Sequence, residues 1–143
     1  MREMKIVLAS DHAGFALKEV VKAHLHTQGY TIVDVSSEFV EDDDYPPVIR
    51  KGCEKVLKED AIGIIFGGSG NGEAIVANKI KGIRAAVCWN EEIARLARAH
   101  NDANVMSLGG RFIDEELAKK MVNIFLSTEF EGGRHKKRVD AIE

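Results

Sequence analysis

Residues 61–82 read "AIGIIFGGSGNGEAIVANKIKG". "AIGIIF" is a short apolar run rich in branched side chains, which suits a strand buried on both faces. Four of the seven residues Gly67–Glu73 are glycine, which marks a tight turn. Ala74–Lys81 then follows a helical pattern, and Gly82 ends it. The same alternation extends in both directions. "KIVLAS" (5–10), "TIVDVS" (31–36), "IRAAVCW" (83–89) and "ANVMSL" (103–108) are further strand runs. Between them, Ala13, Leu17, Val20, Val21 and His24 recur at helical spacing up to Gly29. Val48, Cys53, Val56 and Leu57 form a second helix face, beyond an acidic surface loop "EDDDYPP" with proline at the helix start. Asn90 can cap a helix with an inner face of Ile93, Leu96, Ala97 and His100, and Asp114 one through Leu117, Met121, Ile124 and Phe125. The tail "EGGRHKKRVDAIE" is polar, basic in its middle, and closes on a short helix. Strands alternating with helices predict a parallel sheet covered on both faces. With right-handed crossovers that is a doubly wound, Rossmann-like three-layer α/β/α sandwich around a five-stranded parallel sheet.

A chain of 143 residues with no linker, repeat or low-complexity segment reads as one domain, 1–143. Its net charge of −3 gives no reason to expect nucleic acid as a partner. The N-terminal apolar run is too short for a signal peptide, and no stretch approaches the ~20 apolar residues of a membrane span. Cys53 and Cys88 fall in apolar segments without zinc-ligand spacing. They read as buried free thiols suited to a reducing cytoplasm.

In doubly wound folds ligands lie beyond the carboxyl ends of the strands, which directs attention to Asp11 and His12, to Ser69–Glu73 and to Arg111. Three readings of the glycine loop compete. A nucleotide P-loop needs lysine and a hydroxyl residue where Glu73 and Ala74 stand, and a carboxylate there reverses the required sign. A dinucleotide fingerprint needs glycine at Glu73 and a loop after the first strand, not the third. The third reading is a catalytic anion hole: successive backbone N–H groups hold an enediolate, Ser69 bonds the same oxygen, and Glu73 removes a carbon-bound proton without a metal or other cofactor. On the loop alone, a tight turn with a solvated first-turn glutamate serves equally well, since the helix dipole favours a carboxylate there.

Asp11 and His12 sit at a strand end, where an aspartate also serves as an ordinary cap. His100 lies on the apolar face of its helix, the commoner place for a core histidine, although "HND" follows at a helix end. Arg111, Arg134 and Arg138 are candidate phosphate clamps. Arg134 and Arg138 share one helical face, as they also would in a merely solvated basic tail.

Taken together, "ASDHAGFALK", "GGSGNGEAIVANKIKGIRAA" and "ARAHNDANVMSLGGR", in this order, resemble the type B ribose-5-phosphate isomerases and their galactose-6-phosphate isomerase relatives. The resemblance implies a cytoplasmic, cofactor-free isomerase of the pentose phosphate pathway, a homodimer or tetramer whose active sites are shared between subunits. Its substrate would be a small sugar phosphate. Asp11 and His100 would assist ring opening. His12, Arg111, Arg134 and Arg138 would hold the phosphate. Gly68, Ser69, Gly70, Asn71 and Gly72 would form the anion hole, and Asn101 would touch substrate oxygens. One departure stands out. In the better-known branch a cysteine opens the loop and acts as base. Here that position is Gly67, and Glu73 at the loop end matches the branch that uses a glutamate. An exposed glutamate is a weak base for a carbon-bound proton; partial desolvation by substrate should raise the Glu73 pKa and the loop N–H groups should lower it. Two rivals stay open: the same chemistry on a six-carbon phosphate, and a non-catalytic sugar-phosphate sensor.

Overall fold

In a computed structural model that describes residues 4–143, the chain alternates β1 (Lys5–Ser10), α1 (Phe15–Thr27), β2 (Thr31–Asp34), α2 (Tyr45–Glu59), β3 (Ile62–Gly67), α3 (Asn71–Ala77), β4 (Ala85–Val87), α4 (Glu91–Ala99), β5 (Val105–Gly109), α5 (Glu115–Ser127) and α6 (Arg134–Asp140). Residues 1–3, which head the N-terminal run read above for a signal peptide, lie outside the described residues. No helix is long and apolar enough to cross a membrane among the described residues.

The strands form one five-stranded sheet in the order β2-β1-β3-β5-β4, all pairs parallel. Right-handed crossovers dictate the layers. Moving outward from β1 to β2 places α1 on one face. Moving back across to β3, then on to β4, places α2 and α3 on the other. The return from β4 to β5 brings α4 back to the first face, where α5 joins it. The core divides accordingly. Ile6, Leu8, Phe66, Met106 and Leu108 point to the α1/α4/α5 layer, while Val7, Ala9, Ile65 and Val105 point to α2 and α3. Neighbouring strands β1, β3 and β5 therefore send their following helices to alternate faces. The loops part around the end of β3, opening a crevice there.

Caps follow local chemistry. Asn90 and Asp114 accept the Ile93 and Leu117 N–H groups at 2.8 Å. Pro46 lies in the first turn of α2. Lys18 is wholly buried in α1, yet its ammonium meets Asp34 at 2.5 Å, Glu19 at 2.8 Å and the Ser36 carbonyl at 2.9 Å, and rests 4.4 Å from the Phe15 ring centre. Burial alone would raise the Asp34 carboxyl; Lys18, Lys22 and the Ser36 N–H outweigh it and hold the group below its ordinary value. Asp34 also accepts the Ser36 N–H at 2.9 Å, and the Ser36 hydroxyl accepts the Ser10 N–H at 2.9 Å. This chain of bonds fixes the end of β1, one residue before Asp11.

Candidate active site

The α3 helix starts at Asn71 and not at Ala74, so Asn71, Gly72 and Glu73 are its first turn and only Gly68, Ser69 and Gly70 remain as loop. Gly70 adopts φ +85°, the left-handed conformation glycine takes without strain. Its carbonyl accepts the buried Ser107 hydroxyl at 2.7 Å. The turn after β5 fastens the other side: Gly110 N–H bonds Gly67 O at 2.8 Å, and Arg111 N–H bonds Gly68 O at 3.0 Å. The Ser69 side chain is exposed and its Oγ accepts the Asn71 N–H at 3.2 Å.

Glu73 is only 4% exposed. Its carboxylate folds back over the end of β3 and takes the space a side chain at Gly67 would need: a Cβ there would stand 2.1 Å from Glu73 Cδ and Oε2. Glycine at 67 and a carboxylate at 73 are thus two halves of one arrangement. A thiol at 67 and this glutamate cannot occupy the same volume. Burial raises the Glu73 pKa above the ordinary carboxylate value. Its own N–H and that of Gly70 pull it down, the Asp11 charge adds to the rise, and the net direction is upward. The loop N–H effect expected from sequence is present; the desolvation expected from bound substrate comes instead from burial within the chain itself, and burial wins. A carboxylate poised above its ordinary value is a better proton acceptor near neutral pH.

Asp11 is 7% exposed, and its Oδ1 accepts the Gly14 N–H at 3.1 Å; this bond closes the turn before α1 and is not the helix cap expected from sequence, since the N-cap of α1 is Gly14 and carries no side-chain cap bond. Asp11 also lies close enough to Glu73 to influence its charge. His12 projects beside it, half-buried. Asp43 accepts the His12 backbone N–H at 2.7 Å and faces ring Nδ1 at 3.0 Å. The bonded Asp43 carboxylate, helped by Asp11, raises the His12 pKa and favours imidazolium. That is the charge state that attracts a phosphate. The acidic loop, which had no role from sequence, therefore supplies one through Asp43. Nothing in sequence spacing links positions so far apart. Tyr45, at the start of α2, also enters: its hydroxyl and ring edge lie 2.5–2.8 Å from where a Cβ on Gly72 would be, so the ring packs against the loop backbone. The Arg111 guanidinium lies over Gly68, with Nη1 3.1 Å from the corresponding Cβ position. Asp11, His12, Arg111, Ser69 and Glu73 thus gather at one edge of the sheet.

The other predicted residues lie elsewhere. Because α4 runs back against the strands, its carboxyl end lies at the amino edge of the sheet. His100 is the α4 C-cap and Asn101 follows it. His100 is half-exposed and not part of the core its helical position suggested. Its ring stacks on His135 of α6, with centroids 4.1 Å apart and planes 14° apart, so Arg134 and Arg138 belong to this edge as well. Glu131 Oε1 lies 3.7 Å from His100 Nε2 and 3.6 Å from His135 Nε2. One chain therefore brings together two groups, separated by the length of β5, roughly 15 Å at about 3.3 Å per residue. Asp43, Tyr45, Glu131 and His135 are the residues sequence reasoning missed.

Two sets of ligand-type atoms cluster within 4.8 Å among the described residues, Asp11–His12–Asp43 and His100–Glu131–His135. The first is already tied by the His12–Asp43 bonds. In the second, Glu131 Oε1 faces Nε2 of both stacked rings. Cys53 and Cys88 are buried free thiols, and burial pushes each up to about 12.

A doubly wound sheet with a glycine loop, a buried carboxylate at the loop end and a histidine and an arginine at the same edge defines a protein built to handle a small anionic substrate by proton transfer. The family model for ribose/galactose isomerases matches residues 6–142, and the chain belongs to that family. It is 42% identical over 142 residues to the ribose-5-phosphate isomerase B of Mycolicibacterium paratuberculosis, covering 97% of this chain and 89% of that one. A ribose 5-phosphate isomerase crystal structure from Thermotoga maritima superposes with a TM-score of 0.94 at 46% identity, over 97% of both chains. That of Mycoplasma genitalium ribose-5-phosphate isomerase B with bound ribulose 5-phosphate gives 0.94 at 40% identity, over 99% of this chain and 95% of the other.

Proposed function

We propose that this protein is an aldose–ketose isomerase interconverting ribose 5-phosphate and ribulose 5-phosphate. The observation that carries the reading is the Glu73 carboxylate, buried against Gly67 at the mouth of the glycine loop and raised in pKa. Glu73 takes the proton from C2 of the open-chain aldose. The electrons of that C–H bond form the C1–C2 double bond, and the enediolate charge falls to the loop N–H groups of Gly68 and Gly72, since those of Gly70 and Asn71 already serve Glu73 and Ser69. The remaining hydroxyl proton passes from O2 to O1 beside Ser69. Protonated Glu73 then returns its proton to C1, giving the ketose. His12 and Arg111 hold the phosphate, and Asp11 assists ring opening. The relatives' names and the ribulose 5-phosphate bound by the Mycoplasma protein support this substrate.

His100, Asn101, Arg134 and Arg138 reach such a site only from a second copy of the chain, so the functional unit is at least a homodimer with shared sites. Exposed apolar side chains at the carboxyl edge, among them Phe39, Val40, Ile75, Trp89 and Phe112, supply surface for such an association. The test is turnover of ribose 5-phosphate in deuterated water with chelator present. Wild type should form ketose with label at C1, and Glu73→Gln and His100→Asn should each fail alone. Mixing and co-refolding the two inactive variants should restore about a quarter of wild-type activity, since half of randomly paired dimers carry one intact site. Turnover of six-carbon phosphates instead would overturn the substrate assignment. Full activity of Glu73→Gln would overturn the mechanism, and no recovery on mixing would overturn the shared site.

A further inference from the structure

The His100–Glu131–His135 group extends beyond the residues assigned so far. His135 is 9% exposed, buried for a histidine on a seven-residue surface helix. Its ring lies face to face with His100 at 4.1 Å. The segment carrying Glu131 is pinned to the end of α4 by the Glu131 N–H bonded to Ala99 O at 3.0 Å, and α6 is started by His135 N–H on Gly132 O at 3.0 Å. Both rings turn Nε2 toward the same carboxylate oxygen, at 3.7 and 3.6 Å. Two imidazolium rings in that stack would repel, whereas one imidazolium and one neutral ring beside Glu131 do not. Burial, then the charges of His100 and Arg134, push His135 below its ordinary value, while Glu131 opposes them. The charges surrounding the pair come from Glu92 and Arg95 on α4, Glu131 on the connecting segment, and Arg134 and Arg138 on α6.

We propose that His135, with Glu131, is the positioning element for His100: its ring fixes the plane of the His100 imidazole, which serves ring opening in the neighbouring copy's site. This rests on the isomerase reading above. His135 touches no substrate in this account and acts only through His100. The same helix carries Arg134 and Arg138, so one short element aims the phosphate clamp and the ring-opening group together.

Ring opening can be separated from proton transfer. Ribulose 5-phosphate carries its phosphate on the hydroxyl that would close a five-membered ring, so it stays open. Deuterium wash-in at its C1 needs only Glu73 and the anion loop. Wild type, His135→Ala, His135→Phe and Glu131→Gln would be compared for ribose 5-phosphate turnover and for this wash-in, with EDTA present. We expect His135→Ala to lower kcat on ribose 5-phosphate by about 10²-fold, the scale of a misplaced acid–base group. KM and the wash-in rate should stay near wild type. Glu131→Gln should show the same split to a lesser degree. His135→Phe keeps a flat ring on His100 and should restore most of the turnover. Wild-type turnover by His135→Ala would overturn the inference. So would parallel loss of turnover and wash-in in all three variants, which is what general damage produces. Loss of wild-type activity on chelation would instead make the cluster a metal site. A wild type that isomerises no sugar phosphate refutes the isomerase reading itself, before any variant is compared, and takes this inference with it.

Discussion

Gly67→Ala is a sharp test of the paired arrangement at positions 67 and 73. The backbone at Gly67 is not in the left-handed region, so an alanine there is not strained by its own conformation. What it meets is the Glu73 carboxylate, 2.1 Å from the new methyl, where ordinary contact begins near 3.4 Å. The carboxylate must retreat by about 1.3 Å, the difference between those two distances. The group that yields is the end of a flexible side chain. The stability cost should therefore stay below the ~1–3 kcal/mol usual for overpacking. For a catalytic base the same retreat is severe, since misplacement by about 1 Å costs roughly 10²-fold in rate. The expected result is a variant that melts close to wild type and isomerises ribose 5-phosphate about 10²-fold more slowly. In a Glu73→Ala background the added methyl should change neither rate nor stability, because the obstacle is gone. Thermal melts and kcat on all four proteins of this cycle decide the matter. Near-wild-type turnover by Gly67→Ala would refute the reasoning. An equal fall in rate when Gly67→Ala is added to Glu73→Ala would show that the methyl acts on something other than the carboxylate.

Two further outcomes follow from the ionisable groups. Burial raises the Glu73 pKa in the folded chain, so its ionisation penalises the fold as pH rises through that value. Glu73→Gln should then melt higher than wild type at about pH 7.5, and the gain should vanish below about pH 4, where the acid is protonated folded and unfolded alike; a lower melting temperature at neutral pH would contradict the assignment. Asp43→Asn keeps an acceptor for the His12 N–H but removes the charge that raises the His12 pKa. KM for ribose 5-phosphate should rise severalfold at about pH 7.5 and converge on wild type near about pH 6, where the imidazole is protonated in both; a KM unchanged at the higher pH would exclude imidazolium as a phosphate ligand.

The parts of the fold carried by local pattern were legible. Every strand run reappears as a strand of the sheet, and the Asn90 and Asp114 caps form as read. Strand order was not legible, because the position of β5 between β3 and β4 depends on long-range packing. In hindsight Gly109 carries a trace of it: a Cβ there would stand 2.4 Å from the Ser69 carbonyl oxygen, which only a strand beside β3 would meet. The start of α3 was misplaced because glycines and asparagine discourage a helical reading. Gly70 in fact turns the chain directly into the helix, so Glu73 sits on a rigid first turn. Asp43 and His135 escaped notice for another reason. Each acts on a histidine distant in sequence or across a loop, through a bond or a ring contact that no periodicity encodes. For Asp43 an acidic run was visible, but its partner was not.

The separation of the two polar groups is a consequence of the winding. A helix that follows a parallel strand must return to the amino edge before the next strand begins, so the end of α4 and the beginning of β5 cannot lie beside the loop after β3. His100 stands one residue beyond α4, and the contact between its ring and His135 draws α6, with Arg134 and Arg138, to the same edge. No rotamer change within one chain crosses the length of β5. On the proposed reading a single copy is therefore half an enzyme at each end. A two-fold pairing that sets one copy's amino edge against the other's carboxyl edge completes two sites at once, because a symmetric contact occurs twice. The exposed Trp89 and Phe112 at the rim of the crevice would then be buried by the same event that delivers His100 to the Glu73 site, making association and catalytic competence one equilibrium.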